Sequence, residues 1–184
     1  MLVATIAQDD FVANPAFKGW ELLNGVPTER KKNVRANATV ATVLQELGSV
    51  ADALGGSALG PNQLFGLWGQ RPDHLRAVDA SYYRFSLAVD FDIDVLELPP
   101  DIAVEVVSPG LPASELERKR VELIQAGVEM IWVLYPATQT LHVHTRDKFA
   151  VLSATTCSMA ATSSAASRPR FLASSGAAEP FSRA

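Results

Sequence analysis

Asp79, Glu105 and Lys119 are the residues of this 184-residue chain whose types and settings could do chemistry together. Asp79 interrupts the extended piece "RAVDASYY", and Glu105 interrupts the apolar run "IAVEVV". Lys119 lies a turn and a half into the helical segment that follows. A carboxylate in an apolar strand is costly unless a nearby group compensates its charge. Two carboxylates on adjacent strands can hold a hard divalent cation such as Mg²⁺ or Mn²⁺. That cation lowers the pKa of a bound water and polarises a phosphoryl oxygen. A neighbouring ammonium can orient the attacking water or offset charge in the transition state. Together these groups would hydrolyse a phosphodiester. Each residue alone has a plainer reading. Asp79 suits a strand end, Lys119 a solvated charged helix face, and Glu105 a salt bridge to Lys119 or an arginine.

The elements that must position them are legible from pattern. Ile102 to Val107 reads as a buried strand between Pro99-Pro100 and Ser108-Pro109-Gly110. "ASELERKRVELIQAGV" reads as a helix, with Ser114 and Glu117 as an S-x-x-E capping box and Gly127 at the C-terminal glycine position. "MIWVLYP" gives a second buried strand and "TLHVHTRD" a third, nearer an edge. Strand, helix, strand implies a crossover between parallel strands. Upstream, Asn24-Gly25 in "WELLNGVPT" signals a hairpin. Val34 to Leu47 has near-helical apolar spacing that ends near Gly48, and "ADALGGSALGPNQ" reads as loop. The fold class is α/β (α+β), with a mixed sheet flanked by helices.

The bulk numbers suit one globular domain: 48% hydrophobic and 20% charged residues, with a net charge of -4. That balance excludes a strongly basic nucleic-acid coat but leaves room for a local basic patch. Arg30, Lys31, Lys32 and Arg35 form one such cluster, read equally well as phosphate contacts or as a solvated helix start. The single cysteine, Cys157, excludes an internal disulfide framework and a cysteine-based zinc site. No apolar run spans a bilayer, and the N-terminus lacks a signal-peptide pattern, so a cytoplasmic protein with no membrane partner is expected. Asp90, Asp92 and Asp94 lack the glycine and distal glutamate of a calcium loop. His142 and His144 share a strand face, where solvation is favoured over chelation.

"WELLNGVPTERKK", "LRAVDASYYR", "PPDIAVEVVSP" and "KRVELIQAGVEMIWVLYP", in this order and spacing, resemble the Uma-type restriction endonuclease family, a branch of the PD-(D/E)xK nuclease superfamily. The resemblance covers Phe17 to Thr145. It implies a restriction-endonuclease-like fold and a Mg²⁺- or Mn²⁺-dependent endonuclease acting on DNA. A homodimer is a further expectation, since nucleases that cut both strands are commonly dimeric. Asp79 matches the aspartate of the Pro-Asp motif, although Val78 precedes it here. Glu105 matches the glutamate of E-x-K, Val107 stands where that lysine would be, and the lysine's role passes to Lys119. Glu21 matches an acidic N-terminal position and is a fourth candidate, for the metal.

Two departures keep a second function in view, a catalytically inactive nuclease-fold protein acting as a nucleic-acid-binding module or surviving as a decaying copy. Gly25-Val26 stands where the family usually has Gly-Glu. The segment after residue 150, which includes "TTCSMAATSSAA", is Ala/Ser-rich, and residues 151–184 read as a disordered or frame-shifted tail rather than part of the 1–150 nuclease-like domain. GC-rich codons for that segment, read one nucleotide out of phase, would give "DVLDGGDVLRG", close to the acidic, glycine-containing segment usual in the family.

Overall fold

The computed structural model describes residues 5–69, 71–85 and 93–153. Its strands are β1 (Glu21–Leu23), β2 (Val26–Thr28), β3 (Ser57–Leu59), β4 (Leu64–Phe65), β5 (Arg76–Ala77), β6 (Ala80–Tyr83), β7 (Val95–Leu96), β8 (Ile102–Val106), β9 (Met130–Tyr135), β10 (Thr140–Thr145) and β11 (Phe149–Ser153). The helices are α1 (Gln8–Ala13), α2 (Val34–Leu54) and α3 (Ala113–Gln125), with a 3₁₀ turn at Pro15–Phe17. The main sheet has the order β11-β10-β9-β8-β6-β3. It is mixed, as expected: β8 and β9 run parallel through the α3 crossover, and β6–β8 and β9–β10 are antiparallel. Among the described residues no helix is long and apolar enough to cross a membrane.

Helices cover both faces of this sheet, which is why β8 and β9 are almost continuously apolar. Ile102, Val104 and Val106 pack with Ala36, Val40, Leu47 and Ala51 of α2. Ala103, with Ile131 and Val133 of β9, packs with Leu123 of α3. Side chains alternate along a strand, so Glu105 falls on the α3 face with Ala103. The pleat therefore aims this carboxylate at α3, where Lys119 sits.

The Asn24-Gly25 hairpin forms as expected, with φ of 54° and 75° and Leu23 opposite Val26. Three local expectations are corrected. The α2 helix runs through Gly48 to Leu54; that glycine meets nothing within 4 Å, and the ending is set instead by Gly55 in the left-handed region. Residues 57–59, expected as loop, form β3. The Ser114–Glu117 capping box does not form, because α3 begins two residues earlier, with Pro112 at the N-cap. Ser114 is then already inside the helix, and Glu117 pairs with Arg120. Of the expected tail, 151–184, residues 151–153 are ordered and complete β11, and the rest lies outside the described residues, as do Asp90 and Asp92.

Gly56 joins α2 to β3 where no side chain fits. A Cβ there would lie 2.5 Å from the Tyr83 carbonyl oxygen and 2.9 Å from the Tyr82 hydroxyl. The carbonyl belongs to the sheet backbone and cannot move freely, so Gly56→Ala is expected to cost about 1–3 kcal/mol. Urea unfolding against wild type checks this, and an unchanged midpoint would contradict it.

Candidate active site

Asp79 lies between β5 and β6, beside the C-terminal end of β8. Its backbone N–H donates to the Val104 carbonyl at 2.9 Å, and its Oδ2 accepts from the Val106 N–H at 2.6 Å. These bonds set the carboxylate beside Glu105 on the neighbouring strand. Glu105 is buried, and Lys119 Nζ, itself buried, reaches down from α3 to 2.5 Å from its Oε1. The ammonium also lies 2.8 Å from Glu21 Oε1 and donates to the Ala77 carbonyl. Asp79, Glu105, Lys119 and Glu21, chosen from sequence alone, thus converge. Lys119 is not part of a solvated helix face.

The basic cluster divides, contrary to its reading as one surface patch. Lys31 is exposed and pairs with Glu29, and Arg35 is exposed on the first turn of α2. Arg30 and Lys32 turn inward. Arg30 Nη2 lies 2.7 Å from Asp79 Oδ1 and 3.6 Å from Glu105 Oε2, and its Nε is 3.9 Å from Glu21. Lys32 Nζ donates to Asp79 Oδ2 at 2.6 Å and to the Val106 carbonyl at 2.5 Å, and lies 4.0 Å from Glu105 Oε2. The reason is electrostatic. Burying three carboxylates together is costly without cations beside them, and residues 29–33, outside any helix or strand, are free to turn those cations in.

Burial alone would raise the Asp79 pKa, but Arg30, Lys32 and the Val106 N–H hold it below the ordinary aspartate value. At Glu21 burial is likewise outweighed, by Lys119, Arg30 and Arg76, and the carboxyl is held at about 2. Arg30 loses through burial but gains more from Glu105, Asp79 and Glu21, so its pKa is raised.

Sequence reasoning missed Arg76, which lies fully buried behind the site. Its Nη1 donates to Glu21 Oε2 at 3.0 Å and to Glu115 Oε1 at 2.7 Å, and its Nε donates to Glu122 Oε2 at 2.7 Å. It fixes Glu21, which in turn holds Lys119. The available signal was a charge inside a short extended run, the same signal that exposed Glu105.

Whether the site could hold a metal depends on its oxygens. Asp79 Oδ2 and the Val106 carbonyl meet at one point, now taken by Lys32 Nζ, and Glu105 Oε2 lies 4.0 Å from it. Such an all-oxygen set fits a hard divalent cation. Glu105 Oε1 has no aligned hydrogen-bond donor although Lys119 lies beside it, so its lone pairs are not fully used. Among the described residues no three His, Cys, Asp or Glu side chains converge as a ligand group; the third oxygen comes from the backbone. The donors fit, with Lys32 in the way. An open cleft of about 390 Å³ leads to them, lined by Lys31, Lys32, Gly110, Glu115 and Arg118 among others.

A mixed sheet with this crossover, and an acid of β8 meeting one that immediately precedes the adjacent β6, defines a restriction-endonuclease-like nuclease fold. The fold is shared with a solved structure described as "a putative nuclease belonging to DUF820" from Anabaena variabilis, at a TM-score of 0.66 and 18% identity, over 80% of this chain and 84% of that one. The chain belongs to the Uma2 family, whose model is described as "Putative restriction endonuclease" and matches residues 13–164. No curated protein matches it. Nucleases of the restriction-endonuclease-like kind generally use divalent metal ions.

Proposed function

We propose that this protein is a metal-dependent endonuclease that hydrolyses DNA phosphodiester bonds. The observation that carries the proposal is the meeting of Asp79, just before β6, with Glu105 of the adjacent β8, and Lys119 buried against Glu105. Asp79, Glu105 and the Val106 carbonyl would hold Mg²⁺ or Mn²⁺. That ion would supply a water of lowered pKa and a polarised phosphoryl oxygen. Lys119, fixed by Glu21 and the Ala77 carbonyl, orients the attacking water or offsets charge developing on the phosphate. Arg30 holds the Asp79 carboxylate ionised, ready to accept charge rather than a proton. Lys31 and Arg118 at the cleft would contact the phosphate backbone. The setting would be the cytoplasm and the working form a homodimer, whose symmetry suits cutting both strands.

The test is nicking of supercoiled plasmid by the purified full chain with Mg²⁺, with Mn²⁺ and with chelator. Metal-dependent nicking is expected, and Glu105→Gln is expected to lower it about a hundredfold. Lys148→Met, on the exposed turn before β11, should leave it unchanged. No nicking by a demonstrably folded wild type would defeat the proposal. A second reading, binding without cleavage, is favoured by one observation: Arg30 and Lys32 already neutralise the carboxylates. Phosphate or DNA binding with no cleavage under any metal would select it.

A further inference from the structure

We infer that Lys32 is a resident substitute for the divalent cation, and that metal and Lys32 exchange at one position. The inference rests on the metal reading above and adds a residue role to it. Lys32 Nζ sits on two of the oxygens that would hold the cation, Asp79 Oδ2 at 2.6 Å and the Val106 carbonyl at 2.5 Å, with Glu105 Oε2 further off at 4.0 Å. Three buried carboxylates, Glu21, Asp79 and Glu105, face four inward cations, Arg30, Lys32, Lys119 and, behind Glu21, Arg76. The carboxylate charge is offset without a metal. A divalent ion entering beside Lys32 would face an ammonium at contact distance, so one of the two must leave.

Lys32 is the cation able to leave. Lys119 serves the other side of the site, on Glu105 Oε1 and Glu21, and does not touch Asp79. Arg30 is held by four partners, Glu21, Asp79, Glu105 and Asn62, and its side chain is 8% exposed. Lys32 is 15% exposed, borders the open cleft, and has a flexible four-carbon stem that can swing its ammonium into solvent. Exchange turns +1 into +2 at the carboxylates and delivers a positive charge to the cleft, where a phosphate would lie. Lys32 is thus a positioning residue that occupies the cation position beside the two acids until the metal arrives.

The experiment uses the full chain in two measurements. In the first, wild type is treated with an amine-modifying reagent, with and without Mn²⁺, and each lysine is followed by mass spectrometry. Lys32 is expected to be protected without metal and to become several-fold more reactive with it, while Lys148 does not change. Unchanged Lys32 reactivity overturns the exchange even if Lys32→Met cannot be purified folded. In the second, Mn²⁺ binding is measured by calorimetry on wild type, Lys32→Met and the control Lys148→Met. Removing the competitor is expected to tighten Mn²⁺ binding about tenfold. Equal affinities, or weaker binding in Lys32→Met, overturn the exchange and leave the metal site standing. Absence of Mn²⁺ binding in all three overturns both the exchange and the metal site.

Discussion

Replacing Arg76 by Met is expected to destabilise the protein by about 3 kcal/mol, the loss seen when one partner of a buried ion pair is removed. Methionine fills much of the arginine stem's volume, so the expected loss is electrostatic rather than a cavity effect. The guanidinium is completely buried and contacts three carboxylates, Glu21, Glu115 and Glu122. Glu115 and Glu122 reach some solvent and keep Arg118 and His74 as neighbours, so their share is modest. Glu21 is the costly one, because it is buried and loses the cation behind it. Urea unfolding at pH 7 measures the loss. It should persist in high salt, because buried pairs are weakly screened. A loss below about 1 kcal/mol, the range of exposed pairs, would mean that Arg76 does not hold the site.

What the sequence revealed of this site followed a simple physical line. Glu105 stood out because both faces of β8 are covered, which makes every other position apolar and leaves one acid unexplained. Lys119 stood out less. It sits in "ELERKR" between Arg118, which is exposed, and Arg120, and charge alone cannot say which member of such a run turns inward. Its place on the helix after the Glu105 strand made it a candidate, and the family resemblance chose it over the solvated-face reading. Arg30 and Lys32 were read outward for the same reason. A basic cluster looks alike whether its partners are phosphates or a buried carboxylate such as Asp79, 49 residues from Arg30 and 47 from Lys32. The fold was more legible than the site, because strand and helix periods are local while ion pairing is not. Its misses were local too. One half-buried glycine in a 21-residue helix costs about 1 kcal/mol, which packing of Val40, Leu47 and Ala51 readily offsets, so Gly48 did not stop α2.

The acid limb of stability is expected to report Glu21 directly. Its carboxyl is held at about 2, against an ordinary 4.5, because the charges of Lys119, Arg30 and Arg76 outweigh the burial that would raise it. A depressed carboxyl pKa means that the unfolded chain takes up the proton first. The stabilisation is therefore complete above about pH 4.5 and fades as pH falls toward 2. A difference of about 2.5 in pKa corresponds to about 3 kcal/mol at neutral pH. Glu21→Gln removes that contribution. The variant is expected to unfold at lower urea than wild type at pH 7, and the two stability curves should approach each other between pH 5 and about 2. Asp79, whose pKa is also depressed, loses its contribution in the same direction, so the variant keeps some acid sensitivity. Parallel curves across that window would show that Glu21 is not held ionised by its three cations. Lys119 would then lack the fixed anchor that aims it at Glu105.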